Sequence, residues 1–172
     1  MMQMLTAGGL PALTDGQRTP DADNPRGYLE LERVKHLKSD SSWLASAGGH
    51  AVKVIHMLLK DLPTEHQYDV LFMERDISEV LKSQAAMLAR SGRAGAPLPP
   101  ERLAAVYQAQ LASIRQWLSE HQRFRVHPVR YADLVAQPAE TVNAVRSFLR
   151  VGSTLDAAAM AAAVDPSLYR NR

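Results

Sequence analysis

The chain has 172 residues, of which 46% are apolar and 22% charged, and this matches one globular domain with a substantial core. Zero cysteines exclude disulfides, thiolate catalysis and cysteine-ligated zinc, and a net charge of +2 with scattered Lys and Arg argues against nucleic-acid binding. Without a long apolar run or a signal-peptide pattern, residues 1–172 are predicted to form one cytoplasmic domain that does not contact a membrane.

The first third of the chain mixes short helical patterns with loops. Residues 1–7 predict a helix that ends at two glycines, and the Pro, Asp, Gly and Asn content of 10–26 predicts a long loop that faces substrate. An apolar stripe at helical spacing covers 31–37, and a second short helical piece covers 42–47. The apolar run at 51–56 then predicts the first strand.

That first strand contains Lys53 among apolar residues and ends at His56. Because an ammonium group is costly to bury, Lys53 is expected to meet an anion. Strict alternation along a strand would place positions 53 and 56 on opposite faces. The two side chains can therefore act together only if the strand ends between them.

The most informative stretch is the change from a strand pattern at 68–73 to a helical pattern that ends near Arg90. Asp76 can cap this helix, Arg75 stands at the carboxyl end of the strand, and Ser83 follows within the helix. Ligands of open α/β sheets bind outside the carboxyl ends of the strands. Since a guanidinium group and a hydroxyl match phosphate oxygens, Arg75 and Ser83 predict an anion site.

The second half of the chain repeats the alternation of helix and strand. The longest helical pattern runs from about 100 to 121, a strand with a proline at 124–129 is expected at a sheet edge or strand end, and helices follow at 138–149 and 154–164. Strands alternating with helices predict a three-layer α/β fold with a parallel sheet. The six histidines lack metal-binding spacing, so no metal site is expected.

Arg75-Asp76, with Ser83 eight residues after the arginine, resembles the 3'-phosphate motif of sulfotransferases that use 3'-phosphoadenosine 5'-phosphosulfate. The stretch Val129-Arg-Tyr-Ala-Asp-Leu-Val-Ala-Gln-Pro138, followed by Phe148-Leu149, resembles that family's late strand, turn and helix. The resemblance implies a P-loop-NTPase-like α/β fold with this nucleotide as co-substrate and no metal. It leaves the sulfate acceptor, whether a small molecule or a macromolecule, unidentified.

The resemblance also implies catalytic roles. Lys53 and His56 are similar to the Lys and His that some members use at the leaving group and as the base. Other branches use a carboxylate base after the first helix, for which Glu30 is the best candidate and Glu32 the next. A first-turn acid favoured by the helix dipole is the alternative explanation for Glu30.

Arg170 and Arg172 resemble the basic C-terminal segment that closes over the 3'-phosphate in this family, although a frayed terminus is the commoner fate of such tails. The family's first strand and its Gly-Pro-Arg-Ser-Gly-Thr type loop should precede the first helix, whereas Met1-Met2-Gln3 looks like that helix itself. We therefore expect an N-terminally truncated sulfotransferase-like domain that is impaired or inactive and can self-associate.

Two other functions remain open on the sequence. A nucleotide kinase would need a Gly-x-x-x-x-Gly-Lys-Ser/Thr loop and a magnesium-binding carboxylate, and neither is visible. A non-catalytic remnant that binds an adenosine phosphate or a partner protein is the alternative from another class.

Overall fold

The computed structural model describes residues 1–21, 24–90, 92, 95 and 98–169. Its regular structure consists of strands β1 and β2, helices α1 to α6, and short 3-10 helices that join them. The strands are β1 (Tyr68–Glu74) and β2 (Phe124–Arg130), and the helices are α1 (Met2–Ala7), α2 (Ile77–Arg90), α3 (Pro100–Ser119), α4 (Tyr131–Ala136), α5 (Pro138–Phe148) and α6 (Ala157–Ala162). No helix within these ranges is long and apolar enough to cross a membrane.

Strands β1 and β2 pair in parallel, from Tyr68 opposite Phe124 to Glu74 opposite Arg130. Parallel neighbours need a long crossover, and here α2 and α3 lie in the chain between the two strands. Pro128 has no N–H group, and the structure places it in a strand with a single partner, as expected for an edge. The pairing brings the carboxyl ends of both strands to one edge of the sheet.

Helices and 3-10 segments cover both faces of this sheet. Phe72 and Phe124 pack with Ile114 and Leu118 of α3 and with the 3-10 segments between 32 and 62. The opposite face packs through Leu71 and Val129 against α1, α5 and α6. Alternation along each strand produces the two faces, and the resulting helix, sheet and helix layers confirm the predicted α/β class.

The most deeply buried side chains are Met4, Met160, Val142 and Val145. The two valines recur at helical spacing on α5, and the methionines fill the space between α1 and α6. Each such side chain contributes about 1.5–3 kcal/mol through burial. This core fixes α5 against the sheet.

Two predicted elements of the first third are wrong. In the predicted strand 51–56, Ala51 alone pairs, through an isolated bridge with Ala12, and a 3-10 helix begins at His56. Among the described residues no strand runs beside this segment to form a continuous ladder, and Ile55 remains 58% exposed. The helical stripe forms a 3-10 helix at Glu32–His36, so Glu30 lies before it and the helix-dipole explanation for Glu30 fails.

Gly152 allows the closest backbone approach in this fold, and its substitution should be costly. A Cβ there would overlap the carbonyl group of Arg146, whereas a Cβ at Gly48 would meet nothing within 4 Å. We expect Gly152→Ala to lower the free energy of unfolding by about 1–3 kcal/mol through overpacking. Gly48→Ala should change it by less than about 0.5 kcal/mol. Urea denaturation of both variants measures the difference, and equal midpoints would contradict the described contact.

Candidate functional site

The first cluster lies where the two strands end. Arg75 follows β1 and Tyr131 follows β2, and the strand register places these positions side by side. The guanidinium carbon of Arg75 lies 4.9 Å from the centre of the Tyr131 ring. The predicted position of Arg75 at the carboxyl edge is therefore correct, and an aromatic ring supports its side chain.

Glu79 and Tyr169 hold the Arg75 side chain in place. Arg75 Nε donates to Glu79 Oε2 at 2.9 Å, and the Tyr169 hydroxyl donates to Glu79 Oε1 at 2.7 Å. These hydrogen bonds, that of Tyr169 first and that of Arg75 second, lower the pKa of Glu79 below its ordinary value. No hydrogen bond within the described ranges engages the terminal nitrogens of Arg75, so they can bind an anion.

Helix α2 carries a second predicted phosphate ligand, Ser83. The Asp76 side chain accepts the backbone N–H of Ser78 at 2.8 Å, as predicted for a cap, and hydrogen bonds from Ser78 lower its pKa. Ser83 is half-buried on α2 and stands four residues beyond Glu79, on the same helix face and about 6 Å further along the axis. The hydroxyl and the Arg75 anchor thus share one side of the helix.

The second cluster surrounds Glu30. Lys53 Nζ donates to Glu30 Oε1 at 2.7 Å, and Arg18 contacts Glu30 Oε2 at 3.4 Å while its guanidinium group stacks on the Tyr28 ring. Partial burial raises the pKa of Glu30, but the hydrogen bond and charge of Lys53, helped by Arg18, outweigh it and leave the pKa lowered. Lys53 meets an anion as predicted, although its side chain is exposed.

Hydrogen bonds also fix the backbone around Glu30. The Thr14 hydroxyl and the Asp15 N–H both donate to the Glu30 carbonyl oxygen, which closes the loop that runs between them. Within this loop, Arg26 donates to the carbonyl oxygen of Ala163 and pairs with Asp165 at 2.7 Å. The loop around Glu30 is therefore bound to residues 163–165, which precede the Tyr169 side chain that lies beside Arg75.

The other predicted catalytic side chains lie apart from this cluster. Within the described part of the chain, His56 is half-buried, its Nε2 has no hydrogen-bond partner, and no hydrogen bond or ion pair joins it to Glu30 or Lys53. Glu32 pairs with Lys35 at 2.7 Å. The geometry thus favours Glu30 over His56 and Glu32 as the partner of Lys53.

The predicted phosphate ligands Arg170 and Arg172 lie outside the described residues.

Three residues of the two clusters were not predicted from the sequence: Glu79, Arg18 and Tyr169. Glu79 had a signal, because an acid four residues after Arg75 at a helix start can pair with it. Arg18 and Tyr169 had none, since only tertiary folding brings them to Glu30 and Glu79.

One of three comparisons with known proteins finds a match for this chain. The model of the sulfotransferase family matches residues 17–154, a range that includes both clusters except for Tyr169. No curated protein and no solved structure matches the chain. Among the residues that the structure describes, no group of three or more His, Asp or Glu side chains is arranged to hold a metal ion. On the extent of the family match, the chain belongs to the sulfotransferase family.

Proposed function

We propose that the domain binds 3'-phosphoadenosine 5'-phosphosulfate and that Arg75 and Ser83 hold its 3'-phosphate. The observation that carries this proposal is the pair of Arg75 terminal nitrogens, which form no hydrogen bond with any described residue and lie at the carboxyl edge of the sheet. Glu79 fixes the guanidinium plane, so the outer edge can form two parallel hydrogen bonds with phosphate oxygens. Tyr131 supplies a flat wall beside the same group.

We propose that this domain, as a member of the sulfotransferase family, transfers a sulfuryl group to a hydroxyl or amine. The acceptor oxygen or nitrogen forms a bond to sulfur, the bond from sulfur to the 5'-phosphate oxygen breaks, and the acceptor proton passes to the Glu30 carboxylate. Lys53 stabilises the charge that develops on the leaving phosphate oxygen. Such a transfer depends on position and electrostatics, which the Glu30–Lys53 pair at 2.7 Å supplies.

Removal of Arg75 tests the nucleotide site. A hydrogen bond to a charged group contributes about 1.5–3 kcal/mol, so Arg75→Ala should weaken the binding of adenosine 3',5'-bisphosphate at least about tenfold. Isothermal titration calorimetry measures the affinity, and Arg102→Ala, which removes an exposed arginine from α3, is the matched control. Equal affinities for the Arg75 variant and the wild type would overturn the assignment.

Substitution of Glu30 tests the base in any form of the chain that turns over. Glu30→Gln keeps the size of the side chain but cannot accept the acceptor proton, so kcat should fall by about 10²–10⁴-fold while nucleotide affinity stays nearly constant. His56→Ala should leave kcat within a few fold, because His56 forms no hydrogen bond or ion pair with Glu30 or Lys53 in the described structure. Loss of turnover in the His56 variant alone would move the base to His56.

We further propose that residues 1–172 by themselves transfer sulfate poorly, since they contain no Gly-Pro-Arg-Ser-Gly-Thr type loop to fix the phosphosulfate. Misplacement of the sulfuryl group by about an ångström can cost a hundredfold in rate. A radiolabelled sulfate-transfer assay should show little turnover for these residues and more for the same residues joined to a strand and loop of that type. Full activity without an extension would contradict the proposal, and nucleotide binding without turnover in either form would favour a non-catalytic binding domain.

A further inference from the structure

An open pocket of about 520 Å³ lies at the end of the sheet opposite Arg75. Strand β1 spans about 20 Å, and α5 runs back along it toward the amino ends of both strands. Two contacts fix that end of α5: Asp69 of β1 accepts the backbone N–H of Arg150 at 2.9 Å, and Arg125 of β2 donates to the carbonyl oxygen of Phe148 at 2.7 Å. The pocket is therefore separate from the candidate nucleotide site.

Donors and positive charge dominate the pocket lining, which contains no carboxylate. The polar side chains come from the last turns of α5 and from the residues after it: Asn143, Arg146, Ser147, Arg150 and Ser153. Asn143, Arg146 and Ser147 share a face of α5 because they are three and four residues apart. Such a group can bind an anion through both charge and hydrogen bonds.

Arg146 is the distinctive member of this group. Its side chain is half-buried, and its Nε donates to the carbonyl oxygen of Gly152 at 3.2 Å. In the described structure it has no carboxylate partner, whereas Arg125 and Arg150 both pair with Asp69, at 3.2 and 3.0 Å. Two guanidinium groups thus share the Asp69 carboxylate at this end of the sheet, and the charge of Arg146 is not balanced by any described carboxylate.

The carbonyl groups at the end of α5 do not oppose an anion as strongly as a bare helix C-terminus would. The oxygens of Val145 and Leu149 accept from the N–H groups of Leu149 and Gly152, at 3.0 and 2.9 Å. The oxygen of Phe148 accepts from Arg125. Protein donors therefore already occupy these acceptors, and the close approach at Gly152 holds the following turn in place.

We propose that this pocket is a second anion site, which binds a tetrahedral oxyanion of the sulfate or phosphate class with the terminal nitrogens of Arg146 and the hydroxyls of Ser147 and Ser153. The oxyanion is either free in solution or an ester group on an extended acceptor, because the proposed transfer takes place at Glu30 and Lys53 and no pocket residue belongs to that cluster. The site is independent of the nucleotide assignment, since none of its residues belongs to either cluster described above.

Nuclear magnetic resonance titration of residues 1–172 with inorganic sulfate tests the proposal, with chloride at equal ionic strength as the reference. Saturable amide shifts are expected at residues 143–153, and Arg146→Gln should weaken that response at least about tenfold. Arg102→Gln makes the same charge change on α3 and should leave it intact. Arg75→Gln should also leave it intact, which separates this site from the nucleotide site.

A second variant guards against misfolding of Arg146→Gln. Ser153→Glu places a tethered carboxylate in the pocket without removing the Arg146 to Gly152 hydrogen bond, and it should abolish the sulfate response at 143–153. A sulfate response equal to that of chloride in the wild type, or one that survives Ser153→Glu, would overturn the proposal.

The source of the oxyanion follows from a parallel titration with a sulfated tetrasaccharide. Binding at least about tenfold tighter than that of inorganic sulfate, and lost in Arg146→Gln, would assign the site to an ester group on an extended acceptor. Equal binding per sulfate group, also lost in the variant, would assign it to the free ion. If Arg146→Gln leaves the affinity for the tetrasaccharide unchanged, the result would overturn the proposed site.

Discussion

The parallel pairing of β1 with β2 is the constraint on which the rest of the structure depends. Its register sets Glu74 opposite Arg130, and the residues that follow, Arg75 and Tyr131, therefore meet at one edge. A slip of one residue would exchange the two faces of a strand and expose the side chains that now fill the core. The same register that forms the core thus also forms the candidate nucleotide site.

Glu79 and Tyr131 restrain the side chain of Arg75. Its ion pair with Glu79 at 2.9 Å reduces the local positive charge. A bound phosphate would bring about two further negative charges close to the Glu79 carboxylate. The compensation lies in geometry, because a guanidinium group held through Nε loses little conformational freedom when its outer edge binds. Tyr169 hydrogen bonds to the same Glu79, so the C-terminal segment and the Arg26 contact of the Glu30 loop help to hold the site.

Local patterns predicted the elements that lie within one continuous stretch, and failed where distant segments decide the structure. The strand, the Asp76 cap and α2 were predictable because period, cap residue and strand end all occur between 68 and 90. The segment 51–56 has the composition of a strand, but only the fold determines whether a neighbouring strand is available. For the same reason, Lys53 predicted an anionic partner without identifying which carboxylate would reach it.

The Glu30–Lys53 pair raises a question of base strength, which the proposed mechanism answers through the movement of one charge. Lys53 lowers the pKa of Glu30, so in the resting structure the carboxylate is ionised but is a poor proton acceptor. In the proposed mechanism, a turn of Lys53 toward the leaving phosphate oxygen would break its 2.7 Å hydrogen bond with Glu30, and the pKa of Glu30 would then rise. Arg18 remains beside the second carboxylate oxygen and preserves the orientation of the side chain. In that mechanism the base would become effective only when a nucleotide draws Lys53 away, so proton removal would be tied to the presence of the sulfate donor.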